Sequence, residues 1–224
     1  MSHGENGKFK ISKGSVLRLY HVTPTDTVRL NHANEMLKHN LAKYPLTTAV
    51  VKTEQIESGK RSILFRNLFN GLVPKRMIFG IVEDATYNGS YKKNPFNFQM
   101  PQLSSIEVKV DGNETPISSL KNTGGEAIDL YHLLFDNVCG SYRGRGLNIS
   151  REEFKNGYAL FPFDFTAATN ASSGYFQPQY KGVVTLELTF SEATDKVYIV
   201  VLYGEFNNNM EIDSARNVMY DIQG

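Results

Sequence analysis

The sequence predicts an all-β fold, an antiparallel jelly-roll sandwich of about eight strands with short helices in its loops. Three observations carry that expectation. Along 106–110 and 184–190 apolar side chains alternate with polar ones, as in strands with one face in a core and one in water. Two other stretches, KRMIFGIVE (75–83) and KVYIVVLYGEF (196–206), are almost continuously apolar and rich in β-branched and aromatic residues. That is the pattern of central strands covered on both faces. Stripes of helical period are few and short, and each falls between candidate strands.

In chain order, the elements read as follows. The stretch 15–22 has the composition of a strand. Leu30, Ala33, Leu37 and Leu41 lie on one helical stripe, which Pro45 stops soon afterwards. Strands follow at 46–56, 61–69 and 75–83, and then a long loop at 84–101. After the strand around 106–110, Asp111-Gly112 is a hairpin turn signal, because a tight turn of the right twist needs positive φ at both positions. Gly124-Gly125 introduces a helix over 126–138 with Ile128, Tyr131, Leu134 and Phe135 on one stripe. A third, short helix begins at Ser150, whose hydroxyl can cap it while Glu153 reaches back to the capping backbone. A strand at 158–165, a loop at 166–181 and the two strands at 184–190 and 196–206 complete the set. Residues 1–13 read as a flexible N-terminal segment and 14–224 as a single jelly-roll domain.

Composition narrows the function classes. Of 224 residues, 41% are apolar and 21% charged, enough for a packed core and unlike a disordered chain. The 24 lysines and arginines nearly cancel the 23 aspartates and glutamates, so no long-range field would hold a nucleic-acid backbone or an anionic bilayer. The polar start of the chain does not resemble a secretory signal, and no run reaches the ~18–20 apolar residues of a membrane span. Accordingly the chain is expected to be soluble and made inside a cell, and the four N-x-S/T matches at Asn88, Asn113, Asn148 and Asn170 read as chance.

Nothing in the sequence resembles a catalytic or metal centre, and no cofactor is expected. The five histidines show none of the short spacings of a cupin or zinc protease; His32 and His39, seven apart on the proposed first helix, read as surface residues. Cys139 is the single cysteine and follows the apolar end of a helix, where a cysteine usually packs as a small hydrophobe. Glu152, Glu153, Glu205, Glu211 and Asp213 are scattered carboxylates without a partner base. The stretch SYRGRG (141–146) places Tyr142, Arg143 and Arg145 among glycines, which suits either an exposed loop or contact with an anion or partner. More informative is YNGSYKKNPFNF (87–98), where Tyr87, Tyr91, Phe96 and Phe98 alternate with turn residues and two lysines. Such rings either pack beneath their own loop or anchor a neighbouring subunit.

Several blocks together carry a resemblance: LAKYPLTTAVVKT (41–53), NLFNGLVPKRMIFGIVEDATYNGSYKKNPFNF (67–98), ISREEFKNGYALFPFDFT (149–166), LELTF (186–190) and VYIVVLYGEFNNNMEID (197–213). In this order they resemble the hexon-like major capsid proteins of Polinton (Maverick) elements and adintoviruses, including copies integrated in animal genomes. The resemblance implies a structural virion shell protein that acts by self-association into trimers or shells with other capsid proteins. It implies no enzyme activity and no catalytic residue, while the balanced charge argues for no membrane and no specific nucleic-acid partner. Such proteins are longer, and the match is to their C-terminal jelly-roll part. This chain therefore reads as that half, as a shortened product or as a divergent single-jelly-roll shell protein. The rival readings are a lectin-like or adopted binding module and an enzyme on a cupin-like barrel, the latter lacking the histidine pair such a barrel uses. For the shell reading the candidate inter-subunit contacts are Tyr87, Tyr91, Phe96, Phe98, Tyr142, Arg143 and Arg145.

Overall fold

The structure is a computed structural model that describes Gly14 and residues 16–114, 118–138, 147–167, 169–171 and 178–220. It resolves into two compact units, one built from residues up to Tyr44 together with Met210–Tyr220, the other from Pro45–Asn209. Its elements are α1 (Asp26–Leu37), β1 (Ala42–Ile56), β2 (Ser62–Phe65), β3 (Arg76–Glu83), α2 (Asp84–Tyr87), β4 (Leu103–Val110), β5 (Asn113–Glu114) and β6 (Leu120–Lys121). There follow a 3-10 turn (Thr123–Gly125), α3 (Ile128–Val138), α4 (Arg151–Lys155), β7 (Leu160–Asp164), β8 (Val184–Phe190), β9 (Tyr198–Ile212) and β10 (Val218–Tyr220).

The larger unit is an antiparallel sandwich, as the alternating and two-sided apolar patterns require. One sheet has the order β1-β9-β3-β7 and the other β2-β8-β4-β5, with β6 also paired to β4. The pairing is nested: β1 lies beside β9, β2 beside β8, β3 beside β7, and β4 beside β5 and β6. A single antiparallel ribbon, wrapped so that successive pairs fall alternately in the two sheets, gives this arrangement. It is the jelly roll. The inner faces meet in one core, with Met77, Phe79 and Ile81 from β3, Phe161 and Phe163 from β7, and Val200 and Leu202 from β9. Opposite them stand Ile106 and Val108 from β4 and Leu186 and Leu188 from β8, all fully buried. Phe79 fixes the centre, its ring 5.0 Å from that of Phe161 and stacked at 6.1 Å on Phe163.

Local chemistry sets the connections. Asp111 (φ 51°) and Gly112 (φ 84°) both take the left-handed conformation, and Val110 pairs with Asn113 across the tight turn that the dipeptide predicts. The Ser150 side chain accepts from the Glu153 backbone N–H at 3.2 Å while the Ser150 backbone N–H donates to Glu153 Oε2 at 2.8 Å, a complete capping box at the start of α4. On α3 the buried side chains are Leu130, Leu133, Leu134 and Asn137, spaced as one helical face, and Asn137 Nδ2 donates to the Pro162 carbonyl at 2.9 Å. Of the predicted stripe, Leu134 is buried and Tyr131 and Phe135 pack half-buried against the core, while Ile128 is exposed. Tyr131 meets Phe135 and Phe154 edge-on and donates its hydroxyl to the Ile149 carbonyl.

Four other expectations are corrected. Residues 16–22 form no strand, and their large apolar side chains are exposed, because strand-like composition creates a strand only where an edge pairs with it. The predicted α1 stripe is not a core face: α1 forms, but Leu30, Leu37 and Leu41 stand in solvent and Met36 alone is buried on it. With 16–22 irregular, α1 precedes the first strand and does not connect two. His39 lies beyond the end of α1 with φ 60°, so it shares no helical face with His32. The smaller unit is tied by β10 paired to the end of β9, by Lys43–Glu211 at 3.0 Å and by His32 Nε2 within 3.1 Å of the Tyr44 hydroxyl.

Candidate inter-subunit surface

Between β3 and β4 the chain is too long for a hairpin, so its backbone polar groups find partners inside the loop or at its base. The segment opens with α2, where Asn88 Nδ2 donates to Asp84 Oδ1 at 2.9 Å. Two side-chain turns follow: Ser90 Oγ accepts from the Lys92 N–H at 3.3 Å and Asn94 Oδ1 from the Phe96 N–H at 3.0 Å. At the base, Phe98 N–H donates to the Gly157 carbonyl (2.9 Å), Ala159 N–H to the Phe98 carbonyl (3.2 Å) and Gln99 N–H to the Ile81 carbonyl (2.7 Å). Residues 98–99 are thereby stitched between β3 and 157–159, and the loop above them is held at both ends.

Two glycines permit that seating. A Cβ on Gly80 would stand 2.5 Å from Phe98 Cδ1, and one on Gly157 only 2.6 Å from Asn97 Oδ1, where the backbone also has φ +134°. Phe98 thus lies against the bare backbone of β3 and is half-buried within its own fold. The other three rings of the loop are outside: Tyr87 is 52% exposed, Tyr91 58% and Phe96 72%. Sequence reasoning missed a fourth, Tyr158, which is 54% exposed and bridged to Phe98 at the loop base. Its signal was Gly157, just ahead of the strand, and the isolated glycine in RMIFGIVE was the signal for the seat of Phe98. Gly80→Val should unseat Phe98 and lower stability by ~1–3 kcal/mol, as overpacking does. Faster hydrogen exchange at Phe98 and Gln99 with a lower melting temperature is the expected reading; unchanged exchange there would show that Gly80 does not set the loop.

Charge at this surface is organised by Glu83. Lys93 Nζ lies 2.6 Å from Glu83 Oε1 and Lys196 Nζ 3.7 Å from the same oxygen. The Lys93 hydrogen bond holds the Glu83 carboxyl below the ordinary carboxylate range, against the opposing effect of burial. Exposed rings beside a fixed ion pair and turn amides make a surface that water tolerates and that a complementary surface can bury.

The remaining sequence candidates fall elsewhere. Tyr142, Arg143 and Arg145 lie outside the described residues, as does Cys139. Each scattered carboxylate is engaged structurally. Glu205 is buried beside Arg76 (2.7 Å) and Lys75 (3.7 Å) and accepts from the Tyr203 hydroxyl, Glu153 completes the capping box, and Glu152 accepts from Asn156. Glu211 pairs with Lys43 and Asp213 accepts from Asn217. Among the described residues no group of three His, Cys, Asp or Glu side chains is placed to hold a metal ion.

No family model matches the chain. A curated Caenorhabditis elegans protein, described as uncharacterized protein F54H12.2, is 25% identical over 227 residues, covering 98% of this chain and 54% of that protein. The chain thus spans about half the length of the curated relative it matches. Among solved structures, a chain of the quasi-atomic model of the PBCV-1 virus capsid superposes with a TM-score of 0.51 at 10% identity, over 88% of this chain and 55% of the other. PBCV-1 VP54, fitted into a reconstruction of the virophage Sputnik, gives 0.52 at 11% identity with the same coverage. At such identities the likeness is one of fold, and it agrees with the all-β jelly roll that the strand pairing defines.

Proposed function

We propose that this chain is a structural shell protein of the virion: a hexon-like capsid protein, or the C-terminal jelly-roll half of one, that acts by self-association and has no catalytic role. The observation that carries the reading is the likeness of its jelly roll to capsid chains of PBCV-1 over 88% of its length. Two features support it. The aromatic loop offers ring anchors among hydrated turn residues, as an association surface needs, and the sequence blocks resemble the Polinton and adintovirus capsid proteins. On this reading the partners are further copies, assembling as trimers or larger shells with other capsid proteins, and one jelly-roll domain supplies the subunit body. A shell contact of standard size buries ~800 Å² per partner. Light scattering of the purified chain over a range of concentrations should therefore show discrete assemblies above the monomer mass. A monomer at every concentration, together with binding to a glycan array, would replace the reading by a lectin-like binding module.

A further inference from the structure

The stretch VLRLYHV (16–22) has the composition of a strand, yet it has no regular structure and its large apolar side chains, Val16, Leu17, Leu19, Tyr20 and Val22, are each at least 76% exposed. Its apolar residues fall on both alternating faces, so it reads as a strand with no sheet. The larger unit offers the reciprocal feature. β1 is 15 residues long and stands at the end of its sheet, beside β9, and among the described residues no strand pairs with its other side. Between Pro45 and Lys52, residues of the kind that natural edge strands use to refuse another chain, β1 presents the stretch LTTAVV (46–51) with neither charge nor proline.

We infer that residues 16–22 form an exchange arm that adds as an extra strand to the β1 edge of a second copy of this chain. Adding a strand satisfies both halves at once: arm amides and carbonyls gain ladder partners, and its side chains gain a sheet face. Full burial of one tyrosine supplies roughly 150–250 Å², and with the two leucines and two valines the ~800 Å² per partner of a standard interface is the upper bound for one arm; reciprocal exchange places two arms in each association. A second copy is the fitting occupant because arm and edge are present in every chain, so each association supplies the partner of both. The inference goes beyond the shell reading and does not rest on it: a chain that exchanges arms as a small oligomer but builds nothing larger would keep the first and lose the second.

Cross-linking between separately prepared chains tests it. In a Cys139→Ala background, chains with Leu19→Cys or Tyr20→Cys, which sample the two faces of the arm, are mixed under mild oxidation with chains carrying Ala49→Cys, Val51→Cys or Thr53→Cys on β1. Cross-strand neighbours come within disulfide reach. Mixed disulfide dimers at one or more β1 positions are expected, with none to Leu64→Cys, an exposed apolar position on the edge strand of the other sheet. In the parent chain, hydrogen exchange across 46–53 should slow as concentration rises. Absence of mixed dimers at all three β1 positions, or equal cross-linking to Leu64→Cys, would overturn the inference.

Discussion

Val200→Asp is expected to leave almost no soluble protein. Val200 is fully buried on the inner face of β9, paired with Ile81 on β3, at the middle of the sheet whose order is β1-β9-β3-β7. Among the described residues no cation is buried in the core to pair with a carboxylate there, and burying an unpaired charge costs several kcal/mol against a total stability of ~5–15 kcal/mol. Ile199→Asp, one residue along on the opposite face and 7% exposed, should be nearly as damaging. Ile78→Asp should be milder, because Ile78 is only half-buried on the outer face of β3, where the side chain can reach water. Soluble yield and thermal melting by circular dichroism read all three. Melting of Val200→Asp at the parent temperature would contradict the placement of β9 at the centre of the fold.

The contrast between Val200 and Ile78 shows what a sequence pattern conveys and what it cannot. Continuous apolarity in 75–83 and 196–206 marks central strands, and both are central, with a neighbour on each side, a buried inner face and an outer face that is only partly covered. It does not say which face meets the core, since both are apolar. Features closed within a few residues were legible in full: the Asp111-Gly112 turn and the Ser150–Glu153 capping box depend on local backbone geometry alone. Features that need a distant partner were not. The stretch 16–22 has strand composition and no ladder, and α1 has a stripe of leucines without a core beneath it. The same limit applies to the aromatic loop. Its rings were conspicuous in the sequence, but which one turns inward depends on the missing side chain of Gly80, across a loop and on another strand.

A Tyr91→Ala, Phe96→Ala double variant is expected to fold like the parent and to assemble far less. Both rings are more than half exposed, so their loss removes little from the core, while Phe98 and the backbone bonds at the loop base keep the segment seated. Truncating a central aromatic anchor of an interface costs ~2 kcal/mol or more, and the loss recurs at every contact of a repeating assembly. Two anchors at each contact shift association by a hundredfold or more in concentration, since ~1.4 kcal/mol is tenfold. An unfolded double variant would instead place these rings in the core and remove the loop from the interface. The most direct measurement is electron microscopy of parent and double variant side by side at equal concentration, with circular dichroism on the same samples. The shell account predicts trimers or ordered larger particles from the parent and single subunits of unchanged fold from the variant; single subunits from both, or the same particles from both, would contradict it.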